Sequence, residues 1–70
     1  MEKLIEKGQS IVSSRTGKTL ECYYVSTIYR GVSDIIFGYE YSFIVTPKRF
    51  KSIKQNVLVE MLQGVWIVKL

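Results

Sequence analysis

Four basic side chains are crowded into the second half of this 70-residue chain, where they could bind an anion: Lys48, Arg49, Lys51 and Lys54. Glu60 is the one acidic residue between positions 47 and 63, so this segment carries a net charge of +3. The six basic and five acidic residues elsewhere nearly cancel, so the excess of positive charge is local. Such a local excess is typical of a surface that binds phosphate groups or acidic proteins.

A helix over residues 47–63 is predicted to position these side chains. Thr46 is a suitable N-cap residue, and Pro47 suits the first helical position. Apolar residues then recur with the spacing of a helix that buries one face, at Phe50, Ile53, Val57, Leu58, Met61 and Leu62. Gly64 is predicted to end the helix. Because a helix N-terminus already carries partial positive charge, cations there favour a bound anion such as phosphate. The alternative is a solvated helix end that its charge keeps soluble.

Three antiparallel strands are predicted before this helix. The first lies around Ile11 and Val12 and ends in a hairpin loop, in which Gly17 adopts a positive φ. Two longer strands follow over about residues 19–30 and 35–45, which are rich in aromatic and β-branched residues. Residues 65–70 form a closing strand, and residues 2–7 form either a short helical turn or a frayed end.

The order β-β-β-α-β predicts an α+β fold, a single domain over residues 1–70 with two layers. Its sheet is an antiparallel meander, followed by one helix and the closing strand. The alternative is a small SH3-like β-barrel, in which residues 55–62 would form a strand. One helix cannot cover both faces of a sheet whose second strand is apolar on each side, so we expect the uncovered face to form a homodimer or to bind a ligand. The residues expected at a protein interface are Tyr23, Val25, Tyr29 and Trp66.

Catalysis is not expected of this chain. It has no histidine, and its six acidic residues are scattered along the sequence. Cys22 is predicted to be a small buried apolar residue rather than a nucleophile. No cluster of metal ligands is seen, so no cofactor is expected. One cysteine allows no internal disulfide and no apolar run is long enough to span a bilayer, which favours a cytoplasmic protein without membrane contact.

Two functions fit these observations. The first is a non-catalytic module that binds nucleic acid or another polyanion, with Arg15 and Lys18 at the hairpin tip extending the basic surface and tyrosines stacking on bases. The residues predicted to contact the ligand are Lys48, Arg49, Lys51, Lys54, Arg15, Lys18, Tyr39 and Tyr41. The second is a protein-interaction module, such as a small phage- or mobile-element-encoded regulator or inhibitor. It would dock on a larger protein through an apolar sheet face, and its basic patch would steer it to an acidic target.

Overall fold

Five strands form one antiparallel sheet with a single short helix in the computed structural model, which describes residues 2–31 and 35–69. The elements are β1 (Ser10–Ser13), β2 (Thr19–Tyr29), β3 (Ile36–Thr46), β4 (Arg49–Lys54), α1 (Gln55–Gln63) and β5 (Trp66–Lys69). The strand order in the sheet is β4-β3-β2-β1-β5. The predicted α+β class is confirmed, and the sheet is larger than the three-strand meander that was expected.

The turn between β1 and β2 follows the sequence prediction. Gly17 has a φ of 76°, and its N–H donates to the carbonyl oxygen of Ser13 at 2.7 Å. Glycine adopts this left-handed backbone without the steric cost that a side chain would add. Gly17 therefore fixes the point at which the chain reverses, and it places Lys18 directly before β2.

A β-bulge in β2 changes which side chains face the core. Cys22 lies opposite Phe43, but the register shifts before Tyr24, so that Val25 lies opposite the buried Tyr41. Val25 consequently packs against the core, whereas Tyr23 is exposed. Tyr23 and Val25, which were both expected at a protein interface on an apolar sheet face, therefore do not share a face, because the bulge inserts one residue into the period-two alternation.

The predicted helix over residues 47–63 is wrong in its first half. The chain turns after Thr46, and residues 49–54 form β4, which pairs with β3 from Arg49 opposite Thr46 to Lys54 opposite Glu40. This pairing satisfies backbone groups along the edge of β3, which outweighs the local helix signals. The barrel alternative is contradicted as well, because residues 55–62 are helical. Gly64 does follow the last helical residue, but with a φ of −96° rather than a left-handed conformation.

The hydrophobic core lies between the sheet, the helix and the N-terminal segment. α1 contacts β3, β4 and β5 and buries Leu58. The buried residues are Ile5, Ile11, Leu20, Cys22, Tyr39, Tyr41, Phe43, Ile53 and Leu58. Ile5 is 2% exposed although residues 2–9 form neither a helical turn nor a strand. In the part of the chain that the structure describes, no helix is long and apolar enough to cross a membrane.

A cationic groove as the candidate functional site

An open groove of about 650 Å³ lies where the sheet and the helix meet. Its walls come from four strands and the helix, together with the turn before β2. The residues that line it are Lys18, Leu20, Val45, Arg49, Phe50, Lys51, Ile53, Val57, Met61 and Trp66. The groove therefore combines three basic side chains with seven apolar ones. We call it the cationic groove.

The three cations reach the groove from two separate turns of the chain. Lys18 ends the β1–β2 turn, whereas Arg49 begins β4 directly after the β3–β4 turn. Lys51 stands two residues before the buried Ile53 in the same strand, so both side chains point to the same side of the sheet. Ile53 is buried in the core, but Lys51 lies nearer the start of the strand and is exposed.

These cations have no acidic partner nearby among the described residues. The salt bridge among the described residues joins Lys3 and Glu6 at 3.7 Å, and neither of these residues lines the groove. Ammonium and guanidinium groups that share a concave surface with apolar walls concentrate their positive potential in it. The groove can therefore attract an anionic group without first breaking an ion pair to a described carboxylate.

The apolar part of the groove remains accessible to a ligand. Val57 and Met61 are one helical turn apart and lie on the same face of α1. Val57 is 42% exposed, and Trp66 of β5 is half-buried. Open apolar surface beside unpaired cations suits a ligand that carries both negative charge and flat or apolar groups.

The remaining predicted cations are distributed differently. Lys48 lies in the β3–β4 turn next to Arg49, and Arg15 lies in the β1–β2 turn, so both are close in sequence to groove residues. Lys54 instead lines a separate depression of about 340 Å³ that includes Ile28 and Phe37. The predicted phosphate site at a helix N-terminus is contradicted, because Lys48 and Arg49 precede a strand rather than a helix.

The two tyrosines predicted to stack on bases are core residues. Tyr39 and Tyr41 are 6% and 0% exposed, so neither ring is open for a base to stack on, and Tyr39 borders the smaller depression that Lys54 lines. The Tyr41 hydroxyl accepts a hydrogen bond from the Leu4 N–H at 2.9 Å and donates one to Gln55 Oε1. Burial is the main cause that raises the pKa of this phenol above its usual value of 10.0. Tyr41 therefore has a structural role, and neither tyrosine lines the cationic groove.

Cys22 is buried, as the sequence predicted. Its Sγ lies 3.5 Å from the carbonyl oxygen of Tyr24, and burial is the main cause that raises the pKa of the thiol above 9.0. A thiol in this environment stays protonated at neutral pH and is a poor nucleophile. Among the described residues, no group of three or more acidic or cysteine side chains is placed to hold a metal ion.

The residues predicted for a protein interface do not form one surface. Tyr23 packs on Phe50 with ring centroids 4.7 Å apart, whereas Val25 packs on the core. Tyr29 is exposed at the far end of β2, and Trp66 lines the cationic groove. Sequence reasoning missed Leu20, Val45, Val57 and Met61 as groove residues. Their spacing along the strands and the helix predicts that they are buried. It does not show that they lie at the end of the core, where they border a groove.

No protein-family model, curated protein sequence or solved structure matched the chain. The function is therefore inferred from the residues, charges and shape of the molecule itself.

Proposed function

We propose that this protein is a nucleic-acid-binding module that holds an extended single strand in its cationic groove. The observation that carries the proposal is the convergence of Lys18, Arg49 and Lys51 on one concave surface with apolar walls. Lys18 belongs to one turn, and the other two cations belong to a strand some thirty positions later in the sequence. The basic surface is thus a product of the fold and more than a run of lysines.

A single strand fits this groove better than a duplex does. A duplex presents mainly its phosphates to a shallow site, because its bases are stacked and paired inside the helix. A single strand presents phosphates and unstacked bases together, and proteins that bind it combine a basic groove with apolar or aromatic surface for the bases. Lys18, Arg49 and Lys51 supply the phosphate contacts, and the half-buried ring of Trp66 supplies a surface for a base.

The expected salt dependence follows from the number of cations. Three phosphate contacts on a single strand give a slope of about −2 in a plot of log affinity against log salt concentration. The affinity then falls by roughly 20-fold between about 50 and 200 mM salt. Additional contacts from Arg15 and Lys48 would make the slope steeper, so the measured slope counts the cations that take part.

The experiment is a binding titration with two charge-reversed variants that have the same net charge. Lys18→Glu with Arg49→Glu changes two groove cations, and Lys7→Glu with Lys69→Glu changes two exposed cations that do not line the groove. Both pairs of changes bring the formal charge from +4 to zero. Fluorescence anisotropy with labelled single- and double-stranded DNA and RNA gives the affinity. Quenching of Trp66, the one tryptophan, reports occupancy of the groove directly.

We expect the groove variant to lose at least 10-fold in affinity for the single strand, and its salt slope to fall by about 0.7 for each phosphate contact removed. The control variant should keep the quenching of Trp66 and lose less. Equal losses in both variants would mean that net charge alone drives binding, and the proposal would fail. Tighter binding to duplex than to single strand would exclude the single-strand form of the proposal.

A second candidate function is the binding of an acidic protein segment in the same groove. It is favoured by the excess of apolar over basic residues in the walls, since an amphipathic acidic peptide would pair its side chains with both. A lack of Trp66 quenching by any nucleic acid at low salt, together with quenching by an acidic, leucine-rich peptide, would support this candidate against the first.

A further inference from the structure

Among the described residues, one face of the sheet is covered by neither the helix nor the N-terminal segment. The side chain of Phe43 points to the other face, where it joins the core with Leu58 of α1. Ile44 follows Phe43 in β3, so its side chain points the opposite way. We call this second side of the sheet the open face. Residues that lie opposite each other in neighbouring strands share a face, so Phe50 of β4, which lies opposite Ile44, is on the open face as well.

The β-bulge in β2 places two consecutive tyrosines on the open face. Cys22 lies on the core face, opposite Phe43, and the register then shifts so that Tyr24 lies on the open face. Tyr23 is the inserted residue, and its ring packs on Phe50 rather than in the core. In a regular strand, consecutive side chains alternate between the two faces, so only one of these tyrosines would lie here. Bulges that redirect a side chain in this way often lie next to active sites.

Together, Tyr23, Tyr24 and Phe50 form a continuous aromatic surface, which we call the aromatic platform. The ring centroids of Tyr23 and Phe50 are 4.7 Å apart, and those of Tyr23 and Tyr24 are 6.4 Å apart. The three side chains are between 45% and 54% exposed, so each keeps surface open to solvent. Accessible aromatic rings of this kind stack on nucleobases of any sequence, because every base has a π-face.

The aromatic platform is continuous with the cationic groove through β4. Phe50 stands between Arg49 and Lys51, two of the three groove cations, and it also borders the groove. β4 is the outermost strand on its side of the sheet, so no further strand of the described chain blocks the way from one face to the other. A strand of nucleic acid that leaves the groove past these cations can therefore pass around β4 and reach the rings on the open face.

The charges near the aromatic platform favour one orientation of such a strand. Glu21 lies on the open face on the β2 side of the platform, and its carboxylate repels phosphates there. Arg49 and Lys51 belong to β4, on the other side. Lys54 lies opposite Glu40 farther along β4, so this pair adds no net charge. The phosphates are therefore favoured over β4, with a base turned inward over the rings.

We propose that the aromatic platform stacks on one base of the single strand whose phosphates the cationic groove holds. The inference rests on the proposed function, and it adds a second base contact to that of Trp66 in the groove. A stacked base strengthens binding by a factor of about 5 to 150. Stacking requires a flat ring and no charge, so it can be removed without changing the groove cations or the net charge of the chain.

Two double variants with the same types of substitution test the stacking. Tyr23→Leu with Phe50→Leu removes the two rings that pack on each other, and we call it the platform variant. The control is Tyr29→Leu with Phe37→Leu, since these residues are 57% and 60% exposed and do not line the cationic groove. Fluorescence anisotropy at about 50 mM salt gives the affinity of each protein for two probes. One probe is a labelled single-stranded DNA of about ten nucleotides, and the other is an abasic oligomer with the same number of phosphates.

We expect the platform variant to bind the DNA at least about 5-fold more weakly than the wild type does. The control variant should bind the DNA as tightly as the wild type. On the abasic oligomer, all three proteins should have the same affinity, because no base is left to stack. The salt slope on the DNA should stay unchanged in the platform variant, since no phosphate contact is lost.

Equal affinities of the platform and control variants for the DNA would overturn the inference, as would a wild type that binds both probes alike. An equal loss on the abasic oligomer would overturn it too, since the rings would then act through the fold rather than through a base.

The groove variant Lys18→Glu with Arg49→Glu separates this inference from the proposed function. If it loses affinity while the platform variant does not, the groove proposal stands and the stacking inference fails. A wild type that binds neither probe removes both. Far-UV circular dichroism shows whether the platform variant is folded. If its spectrum differs from that of the wild type, Phe50→Leu alone replaces it in the same comparison, with Phe37→Leu as its control.

Discussion

The hydroxyl of Tyr41 links three parts of the chain, and its removal tests whether the N-terminal segment is part of the folded core. The oxygen accepts a hydrogen bond from the Leu4 N–H and donates one to the side chain of Gln55, whose Nε2 donates to the Glu2 carbonyl oxygen at 3.1 Å. Tyr41→Phe keeps the ring in the core and removes these two bonds. We expect residues 2–9 to be held less firmly as a result.

The size of the effect follows from burial. An unsatisfied buried group costs about 1–3 kcal/mol, and Leu4 is half-buried, so water can replace part of the loss at its N–H. We therefore expect Tyr41→Phe to lower the free energy of unfolding by about 1–3 kcal/mol. If the segment detaches, exposure of Ile5 adds roughly 1.5–3 kcal/mol. A chain of this size has a total stability of about 3.5–10 kcal/mol, so the change should be easily measured.

The assay is a double-mutant cycle of Tyr41→Phe and Ile5→Ala. The unfolding free energy of each variant is measured in urea by Trp66 fluorescence and far-UV circular dichroism. A stabilising osmolyte at fixed concentration keeps the double variant folded. If the hydroxyl holds the segment that buries Ile5, the two losses overlap and the double variant loses less than their sum by about 1 kcal/mol or more. Tyr24→Phe, which changes an exposed phenol, should have almost no effect. Additive losses within about 0.5 kcal/mol would refute the link between Tyr41 and the N-terminal segment.

Two further predictions concern pH and backbone conformation. Burial raises the pKa of Cys22 above 9.0 and that of Tyr41 above 10.0, so the folded chain keeps both protons to higher pH than the unfolded chain does. Their contribution to stability is complete below these usual values and is lost as pH rises through the folded pKa, so Cys22→Ala should flatten the fall in unfolding free energy above about pH 9. A slope identical to that of the wild type would contradict this assignment. Gly17→Ala should cost about 1–2 kcal/mol in thermal unfolding because φ is 76° there, and nothing crowds the added Cβ. Gly17→Asn should lose less than Gly17→Ala, since asparagine tolerates a left-handed backbone better than alanine does; equal losses would refute the backbone explanation.

The sequence was sufficient for the elements whose local and long-range preferences agree. β2 and β3 have the aromatic and β-branched residues typical of strands, and the turn at Gly17 has the residue that its φ requires. Residues 47–54 had a cap signal at Thr46, a proline suited to a helix start and a helical apolar spacing. There the local pattern was misleading, because Pro47 suits a turn as well, and pairing with β3 secures more backbone hydrogen bonds than a free helical turn.

The candidate site could be predicted only in part, for a related reason. Clustered charge identified Arg49 and Lys51, and Lys18 was predicted as an extension of the same surface. Their meeting in one groove depends on strand order, which the residues of a single turn do not determine. The bulge next to Tyr23 and the burial of Ile5 were also invisible, since an inserted residue and an irregular segment carry no periodic signal.

The pairing of β1 with β5 has a consequence for how the chain folds. The Ser14 hydroxyl reaches the Val65 carbonyl oxygen at 2.9 Å across 51 positions of sequence. Closing a loop of this length costs about 3.5 kcal/mol in chain entropy, and this cost precedes the hydrogen bonds of the pairing. Contacts this distant in sequence are typical of proteins that fold in milliseconds to seconds. Until β5 arrives, the outer edge of β1 exposes backbone groups that can pair with another chain. A slow closure therefore leaves this edge open for longer during refolding, and aggregation through it should rise with protein concentration.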